Sequence, residues 1–444
     1  MFRSPSRPPG AARSFTAPGA ALLLCALAGP VPLSASPIAA PLDAETLVDA
    51  VLASNPGIDA LRAGTEAAEA RARAAGALPD PRLGITVAPA ALDGFETGGG
   101  RHRDPTGAVE LRQDLPWPGT LGLREAVSRA EARAGRDAEA ALRLELAATA
   151  RIRHAEWAYV HAALAVNERT ASLVEALREV AEDRYAAGLA SQQDPLQAEV
   201  EVQRLRAQAL TLEGRRAGIR SALNALLDRD AEAVLPAPGA LPTAGSTPPF
   251  DTLRALARSR HPDLHAMRQR VEAQQGRAAL REKAFYPDLS ITAGHNGYRP
   301  AEETRFTVGV GITLPLDRDR RRAELDAARA ETARMRHALR DRESRLLAEV
   351  SAARAAAERA RATVALVRDA LLPRSRETLD AARSAYASGD GSFLDVITAE
   401  RQLLNTELEL ERARADHAIA RAELMRDTGG PLPAPEAAAE ETTP

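Results

Sequence analysis

Two spacings of hydrophobic residues recur along this chain, and they follow the same order in each half. From about Glu45 to Leu78 apolar residues return every three or four positions, as on one face of a helix, with Asn55-Pro56 marking a break near the start. Pro79-Asp80-Pro81 ends that pattern. Over 82–88 the period drops to two, with Leu83, Ile85 and Val87 opposing Arg82, Gly84 and Thr86. A Gly- and Pro-rich stretch from Pro89 to Thr106 predicts a long loop, and 107–115 alternates again. Helical spacing then covers Leu121–Ala187 and, after a turn, 195–228.

The second half repeats the series. A helical stretch over 250–284 precedes strands at 288–295 and 305–314. In the latter, Phe306, Val308, Val310, Ile312 and Leu314 share one face, and Thr307, Gly309, Gly311 and Thr313 the other. Asp319–Ser388 reads as a second very long helix, kinked at Pro373, and 395–427 as its return. Each long helix holds roughly seventy residues, or about 100 Å at 1.5 Å per residue. The shorter helices are near half that length, so two stacked end to end pair with one long one.

Residue identities confirm the duplication. Tyr185, Gly188, Ser191, Asp194, Ala198 and Glu199 match Tyr386, Gly389, Ser392, Asp395, Ala399 and Glu400 at constant spacing. Leu47, Pro56, Arg62, Glu66, Pro81 and Ile85 likewise match Leu253, Pro262, Arg268, Glu272, Pro287 and Ile291. The expected organisation is a first repeat over 41–235 and a second over 236–430, with a disordered acidic, Pro- and Ala-rich tail over 431–444.

Alternation of apolar with polar or tiny residues suits a transmembrane β-strand, though a hairpin on a soluble core reads the same way. Four strands cannot close a barrel, and an open sheet in lipid leaves its edge groups unpaired. Two chains give eight strands with a filled interior; three give twelve with room for a lumen. A trimer is the economical solution.

Composition narrows the class. Aromatic residues are 3% of the chain, and Ala, Arg, Glu and Leu dominate, the vocabulary of long helices and coiled coils. The net charge of −3 argues against a nucleic-acid partner, because the arginines are matched by carboxylates. Residues 1–40 read as a secretory signal: Arg3, Arg7 and Arg13, then an apolar stretch from Ala17 to Ala28, then small residues. Cys25, the only cysteine, is either lost with the signal or lipidated, and the bulky Leu24 before it disfavours lipidation. No later stretch is apolar for long enough to form a transmembrane helix.

Candidate chemistry is sparse. Gly188 and Gly389 read as left-handed caps closing the long helices. Asp194 and Asp395 read as N-caps of the return helices, Asp194 with Pro195 at the first helical position and Gln197 in capping-box position. His261 and His265 share a helical face, but no further ligands complete a tetrahedral metal site. There is no phosphate loop, nucleophile elbow or paired-acid motif, so neither an enzyme nor a cofactor is expected.

With both Tyr-x-x-Gly…Asp turns, the duplicated strand pairs and Asp114-Leu-Pro-Trp117-Pro-Gly119, the chain resembles the TolC family of outer-membrane efflux ducts over about 42–428. The Pro-Trp-Pro-Gly form is similar to the heavy-metal and cation efflux branch. The resemblance implies a mostly α homotrimer: a twelve-stranded transmembrane β-barrel in the outer membrane, continuing into a periplasmic helical coiled-coil barrel. It implies two partners besides outer-membrane lipid, a periplasmic adaptor and an inner-membrane pump of the RND type. On these positions it places adaptor docking at Gly188, Leu189 and Gly389. It also places a cation-selecting aperture at Asp194 and Asp395, above all at Asp395. Trp117 falls at the membrane interface, and Trp157 and Tyr159 in the tunnel wall. Other readings are the same duct in type I protein secretion, a periplasmic coiled-coil adaptor, and a structural coiled coil. The adaptor wants one hairpin where this chain has two, and the coiled coil leaves the strands unexplained.

Overall fold

The computed structural model describes residues 41–88, 106–242, 245–296 and 306–433. The expected signal segment, most of the first inter-strand loop and the tail from 434 lie outside the described residues. The element order is α1 (Ala44–Ser54), α2 (Pro56–Ala75), β1 (Arg82–Ala88), β2 (Thr106–Leu115), α3 (Thr120–Ala186), α4 (Gln193–Leu226), then α5 (Phe250–Arg260), α6 (Pro262–Lys283), β3 (Asp288–Asn296) and β4 (Phe306–Thr313). It ends with α7 (Arg318–Leu366), a π-helical turn (Val367–Leu371), α8 (Leu372–Ser388) and α9 (Phe393–Asp427).

Prolines set the breaks. Asn55 closes α1 through its own N–H, while its Oδ1 accepts from Gly57 N at 3.0 Å and so caps α2. Pro56 needs no N–H partner at the first helical position. The single helix expected over 250–284 is likewise two, parted at His261-Pro262. Proline at 262 holds His261 extended (φ −69°, ψ 119°) and ends α5. At Pro373 the interruption is a π-helical turn: Asp369 O loses its usual donor, and Leu372 N–H reaches Val367 O five residues back.

Each long helix is flanked by short ones. α2 and α4 lie along α3, α6 and α9 lie along α7, and α3 touches both α6 and α9. Small residues let the axes approach: Ala130, Ala150, Ala163 and Ala181 are fully buried on α3. A Cβ at Gly276 of α6 would fall 2.5 Å from Val127 Cγ2, so any larger residue there must displace Val127. Apolar clusters are strung along the helices. One joins Leu47, Ile58, Trp157 and Leu223; another joins Val174, Leu205, Tyr386 and Phe393. Outward faces carry arginine–carboxylate pairs such as Arg133–Glu272 (2.7 Å), which keep the helices solvated and add little stability each.

The strands form one antiparallel sheet in the order β1-β2-β3-β4, so β1 and β4 each have one free edge. The register Ile85↔Val109↔His295↔Phe306 and Leu83↔Leu111↔Ala293↔Val308 aligns the apolar set on one face. On the other face run Thr86, Glu110, Arg112, Ser290, Thr292, Thr307, Gly309 and Gly311. Glycines 309 and 311 leave room for Thr292 Oγ1 and Ser290 Oγ, which a Cβ would meet at 2.8 and 2.4 Å. The apolar face is uncovered, with Val308 82% exposed.

Candidate functional site

The sheet and the two hairpin turns sit at opposite ends of α3, whose 67 residues span about 100 Å. At the turns the backbone performs the same manoeuvre twice. Gly188 N–H donates to Tyr185 O (2.9 Å) and Leu189 N–H to Arg184 O (2.8 Å). Gly389 N–H donates to Tyr386 O (3.2 Å) and Asp390 N–H to Ala385 O (2.9 Å). Both glycines are left-handed, at φ +73° and +86°, which an L side chain adopts only with strain. Leu189 projects from the first turn, 70% exposed.

The expected aspartate caps are corrected by the structure. The cap of α9 is Ser392, and Asp395 stands three residues inside. Its carboxylate accepts from Ser392 N–H (3.2 Å), while Asp395 N–H donates to Ser392 Oγ (3.2 Å). That is a capping box, and the Ser392 hydroxyl and N–H hold the Asp395 carboxyl below its usual pKa. In the first turn, Ser191 Oγ accepts from Gln193 N–H (3.1 Å) and the backbone is already helical at Gln192. Asp194 therefore lies within the first turn of α4, and Pro195 is not at the first helical position. The Asp194 charge acts instead on Tyr386, whose phenol pKa is raised by burial first and by Asp194 second.

Between the turns lies a packed interface that the sequence alone does not mark. Tyr386 is buried, edge-on to Phe393 at 5.4 Å, whereas its counterpart Tyr185 is 47% exposed. Two ion pairs flank the interface: Arg401 Nε donates to Glu201 at 2.7 Å, and Arg383 to Glu400 at 3.1 Å. Both acids are nearly sealed, their side chains 3% exposed. Glu400 and its repeat counterpart Glu199 differ in the fold: the buried acid of the first hairpin is Glu201. Leu196, Val200 and Leu394 are exposed beside a shallow groove shared with Ile397, between α4 and α9.

At the opposite end, Trp117 leaves β2 and stacks on Tyr286 (4.9 Å between centroids, 15° between planes). Its N–H donates to Asp288 Oδ1 at 2.9 Å, tying the exit of β2 to the entry of β3. Trp157 is buried with Nε1–H on Pro236 O (3.0 Å), and Tyr159 lies between Arg215 and Arg412. His261 is buried at the α5–α6 break, and His265 Nε2 bonds Ser259 O at 2.8 Å. Among the described residues no cluster of three or more His, Cys, Asp or Glu is placed to hold a metal, and no helix is long and apolar enough to cross a membrane.

An exposed two-faced sheet on long paired helices defines a class, and family comparison bears this out. The outer membrane efflux protein model matches residues 47–229 and 253–430, and the chain belongs to that family. Among particular relatives, it is 25% identical over 237 residues to the cobalt-zinc-cadmium resistance protein CzcC of Cupriavidus metallidurans, covering 52% of this chain and 54% of CzcC. The match thus spans about half the length of that relative. Two solved structures share the fold: VceC of Vibrio cholerae (TM-score 0.74, 21% identity, 87% of this chain and 96% of that one) and the channel former CusC (TM-score 0.76, 19% identity, 87% and 92%).

Proposed function

We propose that this chain is one third of a passive exit duct through the outer membrane, serving a tripartite efflux system. The observation that carries the reading is the sheet, with one apolar and one polar face and two free edges. In water, side chains such as Phe306, Val308, Val310 and Ile312 each forgo about 1.5–3 kcal/mol of burial. Lipid removes that penalty but demands closure of the edges, which three copies of four strands provide with a lumen between them. The polar and glycine-rich face then lines the channel, and the halves 41–235 and 236–430 act as two copies of one wall unit.

The remaining roles extend this reading. The turn residues Gly188, Leu189 and Gly389, with the apolar patch beside them, dock a periplasmic adaptor. Asp194 and Asp395 in three copies ring the aperture, and the capping box holds the Asp395 carboxyl below its already acidic usual pKa. Trp117 and Tyr286 anchor the periplasmic rim of the barrel. No step is catalytic, and the energy comes from an inner-membrane pump of the RND type. Similarity to a protein named for cobalt, zinc and cadmium resistance favours metal cations as cargo.

Reversal potentials of the purified pore in planar bilayers under a salt gradient test this reading. Cation selectivity that falls in Asp395→Asn, which removes the charge and keeps a capping acceptor, supports it. Unchanged selectivity removes the aperture assignment, and absence of conductance removes the duct.

A further inference from the structure

The strap joining the two halves covers a cavity of about 700 Å³. Residues 237–242 line it from the strap, His161 from α3, Arg361 and Arg368 from α7 and its π-helical turn, and Glu411, Arg414 and His417 from α9. The strap is pinned in place: Leu42 N–H donates to Ala237 O (2.9 Å) and Gly239 N–H to Leu42 O (2.7 Å).

Two polar groups here lack partners. His161 Nε2 is enclosed without a hydrogen bond. His417 is 3% exposed, lines the cavity, and makes no hydrogen bond to a described residue. His161 packs edge-on against Trp157 (4.4 Å between centroids) and its Nε2 is shut off from the cavity, so His417, buried and without a protein partner, is the imidazole left to bond an occupant. Burial lowers the pKa of both rings. Arg216 lowers His161 further against a smaller opposing effect of Glu213, and Arg421 and Arg361 lower His417. Both rings are therefore neutral near pH 7, each with one N–H to donate.

The surrounding charge chooses the sign of the occupant. Arg361 has no carboxylate partner among the described residues. Glu411 is engaged by Arg414 at 2.6 Å, and Arg368 by Asp369 at 2.7 Å. A cation would meet three guanidinium groups and no free acid from the lining. We propose that this cavity binds a small oxyanion, a phosphate or carboxylate group, held by the Arg361 guanidinium and the imidazole N–H of His417. The site lies far from the hairpin turns and does not depend on the duct reading.

Calorimetric titration of the full-length protein in detergent, in Tris–chloride at pH 7, tests it with sodium phosphate and separately with sodium acetate. Saturable binding of either anion is expected, weakened at least tenfold by Arg361→Ala and by His417→Leu. Arg361 is exposed, so that variant keeps the fold, and Arg374→Ala elsewhere on the helices should bind as wild type. Binding of phosphate alone, acetate alone or both identifies the oxyanion. Saturation by neither anion overturns the proposal. So does wild-type affinity in Arg361→Ala, or zinc binding lost in His417→Leu without anion binding.

Discussion

The Arg184 guanidinium lies 4.6 Å from the centroid of the Tyr386 ring and donates to the Tyr386 carbonyl at 3.1 Å. One residue of the first hairpin thus clasps both the ring and the backbone at the start of the second turn. A partly desolvated cation–π contact contributes about 1–2 kcal/mol and the hydrogen bond about 1 kcal/mol. Arg184→Ala should therefore speed amide exchange across 386–395 by one to two orders of magnitude, and Arg184→Lys by less. Mass-resolved hydrogen exchange of the tip peptides measures this, and equal exchange in all three proteins would remove the clasp.

The two turn glycines should respond alike to alanine, because a Cβ at Gly188 or Gly389 meets open space and only the left-handed backbone is strained. That strain costs about 1–2 kcal/mol at each position. Gly391→Ala should cost more. Its Cβ would fall 2.9 Å from Ala385 Cβ and 3.1 Å from the Ala385 carbonyl carbon, where the backbone must shift. Protease susceptibility of the tip should rank Gly391→Ala above the other two.

Glu400 gives the tip a pH dependence. Burial raises its pKa and Arg383 partly opposes this, so the folded state holds the proton more tightly than the unfolded state does. The contribution of this carboxyl to stability is therefore greatest in acid and declines as pH rises from about 4.3 through its folded pKa. Glu400→Gln should flatten that slope in tip opening rates between pH 4 and 7. Arg383→Ala should steepen it and loosen the tip at neutral pH by about 1–3 kcal/mol, below the full buried-pair range because Arg383 is part exposed.

Trp117 and Trp157 are the two tryptophans of the chain, which makes the interface assignment measurable. In a Trp157→Phe variant reconstituted with brominated lipids, fluorescence of Trp117 should be quenched most by bromines placed near the headgroups. Quenching of a Trp117→Phe variant, which retains Trp157 packed under the strap, should be slight. The reverse pattern would move the lipid boundary off the Trp117–Tyr286 stack.

The features legible in the sequence are those with one local solution. Strands with a single apolar face announce themselves by period two, as Phe306 to Ile312 do. Gly188 and Gly389 are legible because a left-handed turn selects glycine. Local rules failed where two residues satisfied them equally: Ser392 and Asp395 both suit a cap, and only the fold shows that serine is the cap and aspartate closes the box. The His261-Pro262 break was readable from Pro262 by the rule already applied at Asn55-Pro56. Tertiary placement was not readable. Tyr185 and Tyr386 occupy identical motifs, yet only Tyr386 faces the other hairpin of the chain, while Tyr185 is exposed. His161 and His417 meet on one cavity although 255 positions separate them in the chain, a juxtaposition that no local pattern encodes.

The account rests on three chains closing one barrel. Light scattering of the detergent-extracted outer-membrane particle, corrected for bound detergent, tests this most directly. A protein mass of three mature chains is the predicted result. A monomer that stays soluble without detergent would contradict the account, because the apolar face of the sheet would then stand in water with both edges unpaired.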